Sequence, residues 1–319
     1  MTVPAGLESK LIVVTGGDAK YFALLKEQLA SIRRLPQGKD LPLAVLDGGL
    51  EADQVAALEG AGARVVRPEW PSPELGRRYG GREYLRINLN KANLDRLFPE
   101  YQVILWLDGD TWLQTWDAVP LFCAVAAKGK LAVVSQASRL QLSHMALRRR
   151  WFGWVAPRGI LFKGARRARL PADVAWALVD RPVLNTGAFA LRRDAPHWAA
   201  WRAWQRRCTA HGRAFTSDQL ALALAVYLDG LPHEALPETC NYMGPWRLDR
   251  ARGLLVHHYA PYDPLSVVHL VGLDAMRMDP SVTVPGLDMD DQALDLPLRY
   301  AAFQAAFGVG AAPGAGGPD

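Results

Sequence analysis

Apolar residues fall along this chain in two rhythms. Short runs at residues 11–15, 43–46, 63–66, 103–107 and 131–134 are rich in Val, Ile and Leu, interrupted only by Arg64 in the third. Such runs read as strands covered on both faces, because a strand with one wet face alternates instead. Between the first runs the spacing changes. Tyr21, Leu24, Leu25, Leu29 and Ile32 recur at steps of three and four, which winds them onto one face of a helix. Residues 54–58 predict a second, shorter helix. Strand, helix, strand, helix, strand predicts an α/β fold with a mostly parallel central sheet flanked by helices, since parallel neighbours need a crossover between them.

The alternation continues with a predicted helix over 84–97 that ends near Pro99, and with strands at 103–107, 131–134 and 183–191. Trp198, Trp201 and Trp204 share one helical face and read as core packing, and residues 218–227 form a further helix. From about 139 to 175 the order breaks down into a basic, aromatic segment, read as an insertion. The expected organisation is a single domain over 1–307 carrying that insertion, with a disordered tail at 308–319 whose Ala, Gly and Pro cannot build a core.

The run at 103–107 leads straight into Asp108-Gly109-Asp110. A carboxylate buried without a partner costs several kcal/mol. A divalent cation removes that cost, and the glycine lets the backbone turn so that both acids face one ion. The same three residues also make an ordinary turn in which aspartates accept from the backbone. No phosphate-cradling loop accompanies them. Thr15-Gly16-Gly17-Asp18 lacks the dinucleotide fingerprint and the P-loop lysine and hydroxyl. The phosphates of a bound nucleotide therefore need another source of positive charge, which a metal on Asp108 and Asp110 supplies.

With these segments in this order, the chain resembles nucleotide-sugar glycosyltransferases of the GT-A (Rossmann-like) fold. The group it most resembles is the retaining family 8, that of glycogenin and the bacterial galactosyltransferases. The likeness covers roughly residues 11–275, apart from the segment at 139–175. It implies that Asp18 and Tyr21 hold the nucleobase, one accepting from the imide N–H and the other stacking on the ring. A helix cap and a packing residue are their structural alternatives. Arg86 and Lys91 take the places of basic residues facing the nucleotide or sugar, with a solvated helix face as the alternative. Asp108 and Asp110 match metal ligands.

Asn185 and Gly187, in Asn-Thr-Gly, match the donor-sugar pocket, where the amide meets hydroxyls and the glycine leaves room for the ring. A strand bulge is the alternative. Asp218-Gln219 matches a pair near the anomeric carbon, with Asp218 a candidate nucleophile and Gln219 steadying the reacting centre. His269, followed by Gly272, matches the third metal ligand, and His257-His258 is its rival. The lysine that follows in the family is Ala275 here, with Arg277 nearby, which leaves the diphosphate contact in doubt.

The resemblance implies metal-dependent, retaining transfer of a sugar from a UDP-sugar to the hydroxyl of a glycan or lipid-linked acceptor, with Mn²⁺ or Mg²⁺ as cofactor. Two other readings stay open. One is a nucleotidyltransferase, whose two-metal chemistry wants a further acid. The other is a binding protein on a decayed site, which the missing lysine keeps alive.

Charge and cysteine usage refine the setting. The net charge of +5 is modest but uneven. Arg148-Arg149-Arg150 precedes Trp151, Phe152 and Trp154, and then Lys163, Arg166, Arg167 and Arg169 follow. A solvated basic surface is the ordinary fate of such a run, while the aromatics point to an anionic membrane or a polyanionic acceptor. No nucleic-acid motif accompanies the patch, so nucleic acid is not an expected partner. Cys123, Cys208 and Cys240 lie far apart and suit a reducing compartment. With no signal peptide or membrane-length apolar run visible, the expected location is the cytoplasm, with peripheral contact at the inner membrane face.

Overall fold

The computed structural model describes residues 3, 10–137, 147–149, 153, 155–157 and 159–308. Its strands begin with β1 (Leu11–Gly17), β2 (Leu43–Asp47), β3 (Ala63–Val66), β4 (Val103–Leu107), β5 (Thr111–Leu113) and β6 (Leu131–Ser135). There follow β7 (Leu147–Arg149), β8 (Val155–Pro157), β9 (Leu184–Arg192) and β10 (His233–Ala235). Last come β11 (Trp246–Asp249), β12 (Leu254–Val256), β13 (Val267–His269), β14 (Val284–Asp288) and β15 (Ala293–Leu296).

Seven strands form the main sheet in the order β10-β6-β9-β4-β1-β2-β3. Neighbours run parallel except at β9, which lies antiparallel between β4 and β6. Every residue of β1 and of β4 is buried, as unbroken apolar runs require. Because side chains alternate, Ile12, Val14, Ile104 and Trp106 join one core with Trp198 and Trp201 of the helix His197–His211. Leu11, Val13, Leu105 and Leu107 join the other, with Leu25, Leu29 and Ile32 of the helix Phe22–Arg33. The three tryptophans are core, as their spacing predicts: Trp198 and Trp201 stack at 6.0 Å, and Phe189 meets Trp201 edge-on at 5.3 Å.

This topology decides where a ligand can sit. From β1 the chain winds through β2 and β3 to one side, and β4 then takes the other side of β1. Such a switch point opens a crevice beyond the carboxyl ends of the strands, where Asp18 and Asp108 follow β1 and β4. The reversed direction of β9 brings its first residues to the same edge, with Ala188 opposite Leu107. Beyond the sheet, β5 pairs antiparallel with β13 in a register that sets His269 opposite Thr111, one residue from Asp110.

Three features depart from the sequence reading. The helix expected over 84–97 is three pieces: Leu85–Asn90, a tight turn at Lys91–Asn93, and Leu94–Leu97. Asn90 and Asn93 bond to Arg86 O and to each other, competing with the regular ladder. A four-stranded sheet, β12-β11-β14-β15, packs on a separate core around Trp112, Trp246 and Leu255. Within the expected insertion, Ile160–Arg167 and Ala172–Trp176 are helices that bury Leu161 and Ala165, or Ala175, in the main core. Trp151, Phe152, Trp154 and Arg150 lie outside the described residues, as do the side chains of Arg148 and Arg149 and the tail at 309–319. Among the described residues no helix is long and apolar enough to cross a membrane.

Candidate active site

The crevice is a cleft of about 520 Å³ whose floor is Asp108-Gly109-Asp110. Two backbone facts hold this turn. Asp108 N donates to Gly187 O at 2.7 Å, and Asp108 O accepts from Gln28 Nε2 and Thr111 Oγ1, both at 2.8 Å. A β-carbon at Gly109 would lie 2.6 Å from Gly16 O, so only glycine lets the turn close on the end of β1. The sequence reading put the glycine there for flexibility toward a ligand. Its structural reason is this backbone contact.

The two carboxylates have different surroundings. Asp108 is partly exposed, and its Oδ1 accepts from Lys91 Nζ and Trp106 Nε1, each at 2.7 Å, which leaves Oδ2 for another partner. Asp110 is buried, with Oδ1 3.3 Å from His269 Nε2 and Oδ2 3.4 Å from Arg277 Nη1. Burial would raise the Asp110 carboxyl, but His269 and Arg277 together hold it below the usual carboxylate range. Ligand atoms of Asp108, Asp110 and His269 all lie within 4.8 Å of one another. Two carboxylate oxygens and one imidazole nitrogen at that spacing fit a divalent cation of the Mn²⁺ or Mg²⁺ kind.

A chain of amides fixes which nitrogen His269 presents. Gly187 N can only donate, and it donates to Asn185 Oδ1 at 2.7 Å. That same oxygen takes Asn241 Nδ2 at 3.0 Å, so Asn241 turns its own Oδ1 to His269 Nδ1, 2.8 Å away. Nδ1 therefore carries a proton, and Nε2 is the nitrogen turned to Asp110 and to any ion held beside it. Gly187 completes the fit. A β-carbon there would stand 2.3 Å from His269 Cε1, so the space expected for a sugar ring is taken by the imidazole.

On the opposite wall, Asp218 Oδ2 accepts from Thr186 Oγ1 at 2.9 Å and lies 3.4 Å from Lys91 Nζ. Burial alone would depress the Lys91 ammonium, but Asp108 and Asp218 reverse this and hold its pKa above the ordinary lysine value. Lys91 is thus a fixed charge tying the acid pair to Asp218. Gln219 also lines the cleft, and its side chain makes no hydrogen bond to the described residues.

Of the other residues singled out in the sequence, Asp18 and Tyr21 line the cleft. Asp18 also caps the turn after β1, accepting from Lys20 N and Tyr21 N. The Tyr21 hydroxyl accepts from Arg277 Nη1 at 2.7 Å, and burial followed by Asp110 raises its pKa. Arg86 and Gly272 are not in the lining. Arg86 pairs with Glu83 at 2.6 Å and covers the Trp70 ring, whereas Lys91 points into the cleft. Gly272 takes φ 77°, the left-handed turn that follows His269.

The rival His257 is held elsewhere, by Glu238 Oε2 at 2.7 Å and Tyr259 O, so His269 is the imidazole at the acids. Ala275 is exposed, whereas Arg277 reaches the cleft, so a cation does stand where the missing lysine left doubt. Trp106, Thr186 and Asn241 carry contacts that no motif announced. The partner of Trp106 is two residues on, at the turn itself, while those of Thr186 and Asn241 lie 32 and 28 positions away and meet them only in the folded chain.

No protein-family profile and no curated protein sequence matches the chain. Solved structures do match. An active-site mutant of LgtC aligns over 82% of this chain and 87% of its own, at 15% identity and a TM-score of 0.50. The apo structure of WbbM, a bifunctional glycosyltransferase, aligns over 85% of this chain and 47% of its own, at 12% identity and a TM-score of 0.50. This chain thus spans about half the length of WbbM. Likeness at such identities speaks to architecture, and together with the sheet order and the crevice it leads to one conclusion: the chain has the GT-A fold of these glycosyltransferases.

Proposed function

We propose that this protein is a metal-dependent glycosyltransferase that moves a sugar from a UDP-sugar to an acceptor hydroxyl with retention of configuration. The observation that carries the reading is the convergence of Asp108, Asp110 and His269 at the switch-point crevice of a GT-A fold. These residues would hold the ion, the imidazole favouring Mn²⁺ over Mg²⁺. When bound, the ion supplies positive charge to the diphosphate as UDP departs.

The chain's own groups do the rest. Asp18 and Tyr21, at the end of β1, meet the base, and Arg277 supplies the second cation for the diphosphate. Asn185 is committed to Gly187 and Asn241, so it orients the metal-binding imidazole more than it reads the sugar. Asp218 is tied to Thr186 and Lys91, which blunts it as a nucleophile and favours attack on the same face as the leaving group. Gln219, whose amide bonds to none of the described residues, steadies the sugar at the anomeric carbon.

The nucleotidyltransferase reading needs a further acid at the metal. Among the described residues the metal-capable group holds only two carboxylates. Product analysis tests the choice. Incubation with UDP-sugars, Mn²⁺ and a glycan acceptor is expected to release UDP and give a product with the donor's anomeric configuration. Release of pyrophosphate from a parallel incubation with UTP and a sugar 1-phosphate would establish nucleotidyl transfer instead, and an inverted product would reject retention.

A further inference from the structure

Beside the cleft lies a second, larger cavity of about 910 Å³, walled by residues 78–80, 82, 84, 85 and 211–215 and by Arg167 at the end of the helix Ile160–Arg167. Its lining carries four arginines and one histidine and no carboxylate. Arg78 builds the wall itself, donating to the carbonyls of Thr209, Ala210 and Gly212 at 2.8, 3.3 and 3.2 Å. Arg82, Arg167 and Arg213 are exposed and make no ion pair with any described carboxylate. The chain offers no local acid for Arg167 either, since no Asp or Glu occurs between Asp117 and Asp173. Like charges gathered in a hollow repel one another and focus their field on whatever anion enters. Guanidinium forks suit phosphate and carboxylate best, binding both oxygens at once.

The cavity and the cleft are joined. Tyr84 and Phe215 line both, and they are 44% and 61% exposed. Large rings left in water at such a boundary mark a binding surface, and a flat apolar face is what a sugar ring can lie across. The next residue, Thr216, takes φ 69°, a left-handed conformation rare for a β-branched side chain. There the chain turns from the cavity wall into the helix Ser217–Tyr227, which carries Asp218 and Gln219.

We infer that this cavity is the acceptor subsite, and that the acceptor is an anionic sugar whose phosphate or carboxylate is held by Arg82, Arg167 and Arg213. Its hydroxyl then reaches across Tyr84 and Phe215 to the donor cleft. The inference rests on the glycosyl-transfer reading. In the transfer, the acceptor oxygen bonds to the anomeric carbon, the bond from that carbon to the UDP oxygen breaks, and the hydroxyl proton leaves on the diphosphate.

The test is calorimetry on the full chain with UDP and Mn²⁺ present, titrating a disaccharide, its phosphate monoester and its uronic-acid counterpart. One or both anionic sugars are expected to bind at least about tenfold more tightly than the neutral one. The uronic acid tells carboxylate from phosphate as the preferred anion. Arg82→Gln combined with Arg213→Gln is expected to erase the preference. Both side chains are exposed, so the fold should survive, and the melting temperature checks this.

Equal binding of all three sugars, or a preference that survives the double variant, would overturn the inference alone, provided UDP binds. Failure of UDP to bind the wild type would instead overturn the transferase reading and the acceptor role with it. Phosphatidylcholine vesicles with and without phosphatidylglycerol form the last arm. If the arginines govern vesicle binding while the sugars in solution are not distinguished, the cavity faces a membrane and the inference falls.

Discussion

At Gly187, the absence of a side chain sets the geometry of the site, because His269 fills the volume a β-carbon would need. Gly187→Ala is therefore expected to displace the imidazole and weaken Mn²⁺ binding by about tenfold or more while the sheet stays intact. Calorimetry with Mn²⁺, alongside far-ultraviolet circular dichroism, separates the two effects, and unchanged affinity would reject the packing account. Asn241 acts one bond further out. Asn241→Leu removes the acceptor for His269 Nδ1, and a loss of about 10–100-fold in metal affinity is expected. The acids were legible because an apolar run ending in two carboxylates is chemically awkward without an ion, whereas His269 came from the family resemblance alone, beside His257-His258 as a rival. Asn241, Thr186 and Trp106 were not, since a residue that only orients another leaves no local pattern.

At the scale of elements, legibility followed burial. Strands β1, β2, β4 and β6 are built on unbroken apolar runs and could be read directly. β14, with Pro285 and Gly286 in a pattern of mixed burial, carries no such signal, and its sheet went unforeseen. The antiparallel setting of β9 was equally hidden, because a doubly covered strand looks the same in either direction. That direction nonetheless delivers Asn185, Thr186 and Gly187 to the cleft. The seam between β1 and the turn after β4 has no room for a β-carbon at Gly109, which would stand 2.6 Å from Gly16 O. Gly109→Ala must push these backbones apart and is expected to destabilise the protein by about 1–3 kcal/mol. Urea unfolding without metal measures this, and an unchanged midpoint would show that the turn can relax freely.

For the whole molecule, the two cores on either side of the main sheet hold the three cysteines apart and out of water. Cys123, Cys208 and Cys240 are free and buried, and burial pushes each thiol up to about 12. Native protein at pH 8 is expected to resist iodoacetamide until urea unfolds it, when all three should alkylate; mass spectrometry reads the count. The same burial has a stability consequence. Between the ordinary thiol value of 9.0 and about 12 the unfolded thiols lose protons that the folded ones keep. Stability therefore falls as pH rises through that window, by up to about 1.4 kcal/mol per thiol per pH unit.

The account's central claim is that the crevice holds a nucleotide diphosphate through a metal bound by Asp108, Asp110 and His269. Calorimetric titration of UDP into wild type and Asp110→Asn, each with and without Mn²⁺, tests it most directly. The substitution is nearly isosteric, so it removes a charge and a ligand with little change in volume. UDP should bind the wild type only with Mn²⁺ and should fail to bind the variant under either condition. Metal-independent binding, or a variant that binds UDP as the wild type does, would contradict the claim and leave Asp108-Gly109-Asp110 as a turn.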